Sequence, residues 1–246
     1  MKMDLIFGLH AVQSLLKTDA TRVQELVVLQ GRGDQRLQKV LGQAQRDGIS
    51  VTTKSRKVMD EMVEGNHQGV IARCTPGELK DEKYLASLIE SLDEPPFFLL
   101  LDGVTDPHNI GACLRSADAA GVHAVITTRD KSAGLTATAR KIACGAADTT
   151  PFVVVTNMAR TLDMFQQAGI WIVGTAGEAP TTVYQQDLKG PLAIVMGAED
   201  KGMRRLTRDY CDFLVNLPMA GSVSSLNVSV ATGVILFEAV RQRQLG

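Results

Sequence analysis

Between Leu217 and Gly233 the chain reads LPMAGSVSSLNVSVATG, and the run ILFEAVRQRQ follows. The small, polar, glycine-bearing first half suits a loop whose backbone approaches a ligand closely. The second half has a helical period. Val228, Ala231, Ile235, Phe237 and Val240 supply an apolar face, Pro218 and Gly221 break what precedes them, and Ser224 or Ser225 can serve as N-cap. Hydroxyls, the Asn227 amide and free backbone N–H groups thus converge at a helix N-terminus, where they can hold and orient a ligand. Taken alone, the stretch is equally an ordinary capped helix after a turn.

Two further stretches bear on that choice. Leu101 to Gly121 reads LDGVTDPHNIGACLRSADAAG and Ile194 to Gly202 reads IVMGAEDKG, each after a strand-like apolar run. The first sets Asn109 and Arg115 in an N-x5-R spacing; the second sets Gly197, Glu199 and Gly202 in G-x-E-x-x-G. An arginine on a helix is ordinarily a surface or phosphate-pairing residue, and an acid at a turn is ordinarily solvated.

With all three stretches in this order, the sequence resembles the SpoU/TrmH branch of the SPOUT RNA methyltransferases. Over the whole chain it is most similar to the bacterial 23S rRNA guanosine 2'-O-methyltransferases. The resemblance implies methyl transfer from S-adenosylmethionine to a ribose 2'-hydroxyl. It implies a cofactor pocket of late loops: Thr175, Ala176 and Gly177 from GTAGE, Gly197 from MGAE, Leu217 and Met219 from LPMAG, and Leu226 from SSLN. It makes Arg115 the catalytic residue, either taking the 2'-hydroxyl proton with help from a phosphate or only positioning and polarising the hydroxyl. A guanidinium is a poor base in water, so both roles stay open. Asn109 and Asn227 become orienters of Arg115 and of the loops, Ser225 a substrate or loop contact, and Glu199 a loop anchor near the substrate. Asp200-Lys201 stands where the family often has Gly-Glu.

In-line displacement on a sulfonium carbon needs two oriented reactants and removal of a proton, and it needs no metal. The histidines show no ligand spacing. The cysteines, Cys74, Cys113, Cys144 and Cys211, lie far apart and form no C-x-x-C pair, so buried reduced thiols are expected.

The elements that must position these residues alternate. Strand patterns recur at 97–101, 124–127, 152–155, 170–174, 192–196 and 213–217, and helical patterns at 109–120, 137–146, 157–168, 203–208 and 227–244. That alternation argues for an α/β domain with a largely parallel sheet covered on both faces. A Rossmann reading fails on the first turn, where Pro107 and His108 occupy positions that G-x-G-x-x-G would fill with glycine. Periodicity is silent on topology; the resemblance implies a deep trefoil knot at the C-terminal end.

Ahead of this domain, residues 1–74 alternate short strands and helices as a small α/β domain, which by the resemblance is an L30e-like RNA binder. Its GRGD and GNHQG turns make Arg32, Asn66, His67 and Gln68 the candidate RNA contacts. Residues 75–95, acidic and bounded by Pro76-Gly77 and Pro95-Pro96, read as a linker with a helix at 84–92, leaving 96–246 as the catalytic domain.

The formal net charge of −1 conceals 11 Lys+Arg against 8 Asp+Glu in residues 1–74 and 13 against 13 in residues 96–246. A weakly basic first part permits RNA binding without proving it. No run approaches the length of a membrane span and the start is neither a secretory signal nor a transit peptide, so the cytoplasm is the expected compartment. The expected partners are RNA, 23S rRNA foremost, and a second copy of the chain. By the resemblance the knotted domain dimerises and each site draws its arginine from the other subunit. The alternatives are the same chemistry on tRNA or another rRNA site, and a non-catalytic RNA-binding or ribosome-assembly factor.

Overall fold

The computed structural model describes residues 3–63, 65–75 and 79–245, without the side chains of His10 and Thr18; Pro76 and Gly77 lie outside the described residues. The chain divides into two units, Met1–Glu78 and Leu79–Gly246.

The first unit runs β1 (Asp4–Phe7), α1 (Leu9–Thr18), β2 (Val23–Leu29), α2 (Gln35–Arg46), β3 (Ser50–Lys54), α3 (Arg56–Met62) and β4 (Val70–Cys74). Its sheet has the order β1-β4-β2-β3, antiparallel except for the β2/β3 pair. Alternation along β2 builds two layers: Leu26 and Val28 pack with Leu15 of α1 and Leu37 of α2, whereas Val27 faces Met59 of α3. Asp34 starts α2 by accepting the N–H groups of Arg36 and Leu37. The edge strand β1 was not among the expected elements; four residues carry little periodic signal, and pairing with β4 defines it.

The second unit runs α4 (Glu82–Ser91), β5 (Phe97–Asp102), α5 (Pro107–Ala119), β6 (Ala124–Thr128), α6 (Ala137–Ala143), α7 (Ala146–Thr149), β7 (Phe152–Val155), α8 (Met158–Gln167), β8 (Trp171–Thr175), β9 (Thr181–Thr182), β10 (Leu192–Gly197), α9 (Arg205–Asp209), β11 (Phe213–Asn216) and α10 (Val228–Leu245). Seven strands form one sheet, β7-β6-β5-β10-β8-β11-β9, with every pair parallel. Both faces are buried, as parallel strands require. In β5, Phe97, Leu99 and Leu101 pack under α5, α6 and α10, while Phe98 and Leu100 pack against Leu85 of α4 and Phe165 of α8. Each such side chain contributes about 1.5–3 kcal/mol on leaving water.

Residues 79–95, expected as part of a linker, therefore sit with the second unit: Leu85 is fully buried and Lys80 bridges to Val153. The single helix expected over 137–146 is two helices, because Cys144 (φ 53°) and Gly145 (φ 99°) take left-handed conformations that end α6. Strands β6 and β7 step away from β5 on one side, and β8 begins on the other, with β10 between them. Such a reversal opens a crevice at the carboxyl ends of the strands, where open parallel sheets hold ligands.

Candidate active site

Strand β10 ends in Gly197, and the chain turns back at once. Ala198 donates to the Gly202 carbonyl (3.1 Å) and Gly202 to the Ala198 carbonyl (2.8 Å), so Glu199 rides on a closed loop. A side chain at position 197 would have its Cβ 2.2 Å from the Met203 nitrogen, and Gly202 has φ +63°. Both glycines are thus required by the turn. The loop is pinned from below by Asp102, fully buried at the end of β5. Its Oδ2 accepts the Arg204 N–H (2.8 Å), and its Oδ1 lies 3.4 Å from Arg204 Nε. The same guanidinium reaches Thr128 Oγ1 (3.3 Å) and the Asp130 carbonyl (3.4 Å), tying together the loops after β5, β6 and β10. Asp102 and Arg204 were not expected as site residues. An acid closing the run FFLLL was the available signal, but its partner is 102 residues away.

Glu199 Oε1 accepts three N–H groups: Asn109 Nδ2 at 3.1 Å, Asn227 Nδ2 at 2.6 Å and the Val228 backbone at 3.2 Å. Asn227 Nδ2 also donates to Asn109 Oδ1 at 3.0 Å. This closed triad joins α5, the β10 loop and α10. Asn227 is also the cap of α10, its Oδ1 accepting the N–H of Ser229 (2.9 Å) and of Val230 (3.4 Å) and the Ser229 hydroxyl (2.6 Å). Ser224 and Ser225, expected as caps, are exposed and lie before the helix begins at Val228. At the start of α5 the cap is Asp106, which accepts the His108 N–H (2.8 Å) ahead of Pro107 at N1. The helix opens two residues before the expected Asn109. These bonds hold the Asp106 carboxyl below its ordinary value, that from the His108 backbone foremost.

The expected cofactor residues fall at the carboxyl ends of three neighbouring strands. Thr175 ends β8 with its hydroxyl on the Val195 carbonyl (3.2 Å), and Ala176 N–H bonds Val215 O (2.9 Å). Gly177 has open space where a side chain would be, Gly197 ends β10, and half-buried Leu217 and Met219 follow β11. Leu226 is 38% exposed just before α10. Ser225 makes no hydrogen bond among the described residues.

Arg115 is not brought into the triad. It is exposed, and its Nη1 donates to Cys144 Sγ at 3.6 Å, its hydrogen bond among the described residues. Asn109 and Asn227 therefore orient each other and Glu199, not Arg115: six residues beyond Asn109 on α5, Arg115 points toward the end of α6. Cys74 and Cys113 are buried and Cys211 is partly so, but Cys144 is exposed, because the left-handed turn carries it outward. Burial pushes the thiols of Cys113 to about 11 and Cys211 to about 12. Among the described residues no acid, cysteine and histidine cluster has metal-site geometry, and no helix is long and apolar enough to cross a membrane.

In the first unit, Arg32, Asn66 and Gln68 line one concavity with Gly69. Arg32 bonds the Gln68 carbonyl and pairs with Asp34. His67 lines the same concavity but is 4% exposed. Its Nδ1 accepts the Gly69 N–H (3.0 Å), which leaves the proton on Nε2 to meet Asp60 Oδ1 (2.9 Å), so His67 braces the loop from beneath.

The SpoU rRNA methylase family model matches residues 96–237, more than half of the chain. The chain belongs to this family. Residues 5–79 match a model described as RNA 2'-O ribose methyltransferase substrate binding. The 23S rRNA (guanosine-2'-O-)-methyltransferase RlmB of Pseudomonas putida is 59% identical over 244 residues, 99% of this chain and 98% of that one. RlmB of Escherichia coli is also 59% identical, over 98% of this chain and 99% of its own. Among solved structures, the SpoU methyltransferase AviRb from Streptomyces viridochromogenes, in complex with the cofactor AdoMet, superposes with TM-score 0.80 at 26% identity. The match covers 99% of this chain and 92% of that one.

Proposed function

We propose that this protein transfers a methyl group from S-adenosylmethionine to the ribose 2'-hydroxyl of a guanosine in 23S rRNA. The observation that carries the reading is the Asn109–Glu199–Asn227 triad, which gathers three separate sequence motifs at the carboxyl end of the parallel sheet. The near full-length similarity to RlmB supports the RNA and the nucleotide.

The residues at the strand ends fit the cofactor. Clear space at Gly177, main-chain groups at Thr175, Ala176 and Gly197, and apolar surface from Leu217, Met219 and Leu226 suit an adenine and its ribose. The cofactor supplies a methyl group on a positively charged sulfur. Glu199 does not meet the reacting atoms; it braces the start of α10 against α5 so that the loops on either side keep their spacing. Ser225, exposed beside the triad, meets the incoming ribose. Arg115 contacts the 2'-hydroxyl and the adjoining phosphate, orienting and polarising the nucleophile.

Arg115 serves the site of a second subunit. Arg115 makes no bond to the triad of its own chain, and α10 presents Val230, Val234 and Phe237, 52%, 36% and 50% exposed, on the side away from its buried residues Ile235, Leu236 and Ala239. That unpartnered stripe beside α5 suits pairing with a second copy. The first unit binds the RNA substrate and the second carries out the transfer.

The test is methyl transfer from labelled S-adenosylmethionine to deproteinised total RNA from cells lacking this protein, with the modified fragment mapped. Label on one 23S rRNA guanosine ribose is expected. Label on tRNA replaces the target, and no label on naked RNA or on ribosomal precursors, with the cofactor bound, removes the enzymatic reading.

A further inference from the structure

A concavity of about 680 Å3 opens on the first unit, between the starts of α1 and α2 and the 66–69 loop. Among the described residues its lining contains four cations, Arg32, Arg36, Lys39 and Arg56, and no carboxylate. Arg36 and Lys39 are exposed with no side-chain partner among the described residues; Arg56 has only a 4.0 Å pair with Asp60. Asp34 and Asp60 are engaged by Arg32 and His67. Half-buried Leu9 and Leu29 contribute apolar surface inside this basic rim.

The wall formed by Asn66 and Gln68 is preset. Asn66 Oδ1 accepts the Gln68 N–H (3.1 Å), and Gln68 Oε1 accepts the Leu9 N–H (3.1 Å). Both carboxamide oxygens are thereby spent on the protein, and both amino groups are left to donate. Gln68 is held at φ 45°, a left-handed conformation that its own bonds and buried His67 sustain. A rigid hollow with donors, cations and apolar surface is more than a duplex needs. A-form RNA presents its phosphates on a convex surface and hides its base edges in a deep groove, whereas a splayed-out nucleotide offers a flat face, an edge and a phosphate together.

We propose that this concavity takes one unpaired nucleotide of the RNA substrate, its phosphates at Arg36, Lys39 and Arg56 and its base edge at the amino groups of Asn66 and Gln68. Two donors call for two adjacent acceptors, and guanine supplies them in O6 and N7. The inference rests on the reading that the first unit binds RNA, and it adds which residues do so and what they select.

The experiment uses the full chain and a fluorescent RNA hairpin carrying a single bulged guanosine, beside the same hairpin fully paired or bulged with adenosine, cytidine or uridine. The bulged guanosine hairpin should bind about tenfold tighter than the others, the order of one base contact. Asn66→Asp and Gln68→Glu keep the oxygens that the loop needs and remove the donors, so they should abolish the preference. The double variant Arg36→Ala/Lys39→Ala should weaken every hairpin and lower the salt slope by about one per cation lost. In methylation of 23S rRNA the same variants should raise KM about tenfold and leave kcat and cofactor affinity unchanged. Equal binding of bulged and paired hairpins, no binding of either, or an unchanged KM in the double variant overturns the inference. A wild-type protein that methylates no RNA would instead sink the functional reading on which it rests.

Discussion

Asn227 sits 2.6 Å from Glu199, with its Nδ2 donating to Oε1, while its Oδ1 caps the helix that begins one residue later. One side chain therefore fixes both the start of α10 and the loop after β10. Removing the Glu199 carboxylate leaves three donors without their acceptor, and bonds to a charged acceptor are worth about 1.5–3 kcal/mol each. Glu199→Ala should lower kcat/KM by about two orders of magnitude. Glu199→Gln, which retains a carbonyl acceptor, should lose less. Steady-state methylation of 23S rRNA by the two variants checks this, and equal, near wild-type rates would remove the triad from function.

Arg115→Ala should abolish methylation and leave cofactor affinity nearly intact, since no cofactor-loop residue bonds it. Its place outside its own triad yields a sharper test. If each site combines Glu199 of one subunit with Arg115 of the other, mixing inactive Arg115→Ala with the weakly active Glu199→Ala makes heterodimers with one complete site. About a quarter of all sites should recover in a statistical mixture. Phe237→Glu, placing a charge on the exposed stripe of α10, should prevent both pairing and recovery. No recovery in a mixture proved to exchange subunits would place Arg115 in its own subunit's site.

Gly197→Ala tests the tight return of the β10 loop. Its Cβ would fall 2.2 Å from the Met203 nitrogen and 2.3 Å from the Gly202 carbonyl carbon, both backbone atoms that cannot rotate away. The loop must shift, at about 1–3 kcal/mol for an overpacked site. Thermal unfolding should report the lost stability, and cofactor titration a loss of affinity larger than that of Gly177→Ala, where a Cβ meets nothing. Equal affinities in the two variants would show that Gly197 has no part in the cofactor loop.

These cases also mark how far the sequence could be read. The strands of the second unit are apolar runs whose even and odd residues face different layers, so period and length place them. Asn109, Glu199 and Asn227 are visible as motif residues, but contacts across 90 and 118 residues are set by the order of strands, which no local pattern encodes. Arg115 illustrates the reverse: its spacing from Asn109 suggests one cluster, yet helical geometry turns it toward Cys144. The Asp106-Pro107 pair that opens α5 and the Gly145 that ends α6 were local signals in the ordinary chemistry of caps and breakers. The basic concavity is assembled from α2, α3 and two loops, so its cations are scattered in the sequence.

Glu238 on α10 gives a prediction in pH. Its carboxylate takes two bonds from Arg241 at 2.8 Å and one from Gln242 at 2.9 Å, and Gln242 in turn holds the Leu188 N–H and the Gln186 carbonyl. The Arg241 guanidinium is the largest cause that holds the Glu238 carboxyl down at about 2, against an ordinary 4.5. A folded value below the unfolded one means stability that is fully present above 4.5 and is lost as pH falls toward 2. Wild type should therefore exceed Glu238→Gln in urea midpoint at neutral pH, and the gap should close through that acidic window. A gap that persists unchanged near pH 2 would mean that the variant acts through packing around Gln242 and not through the charge.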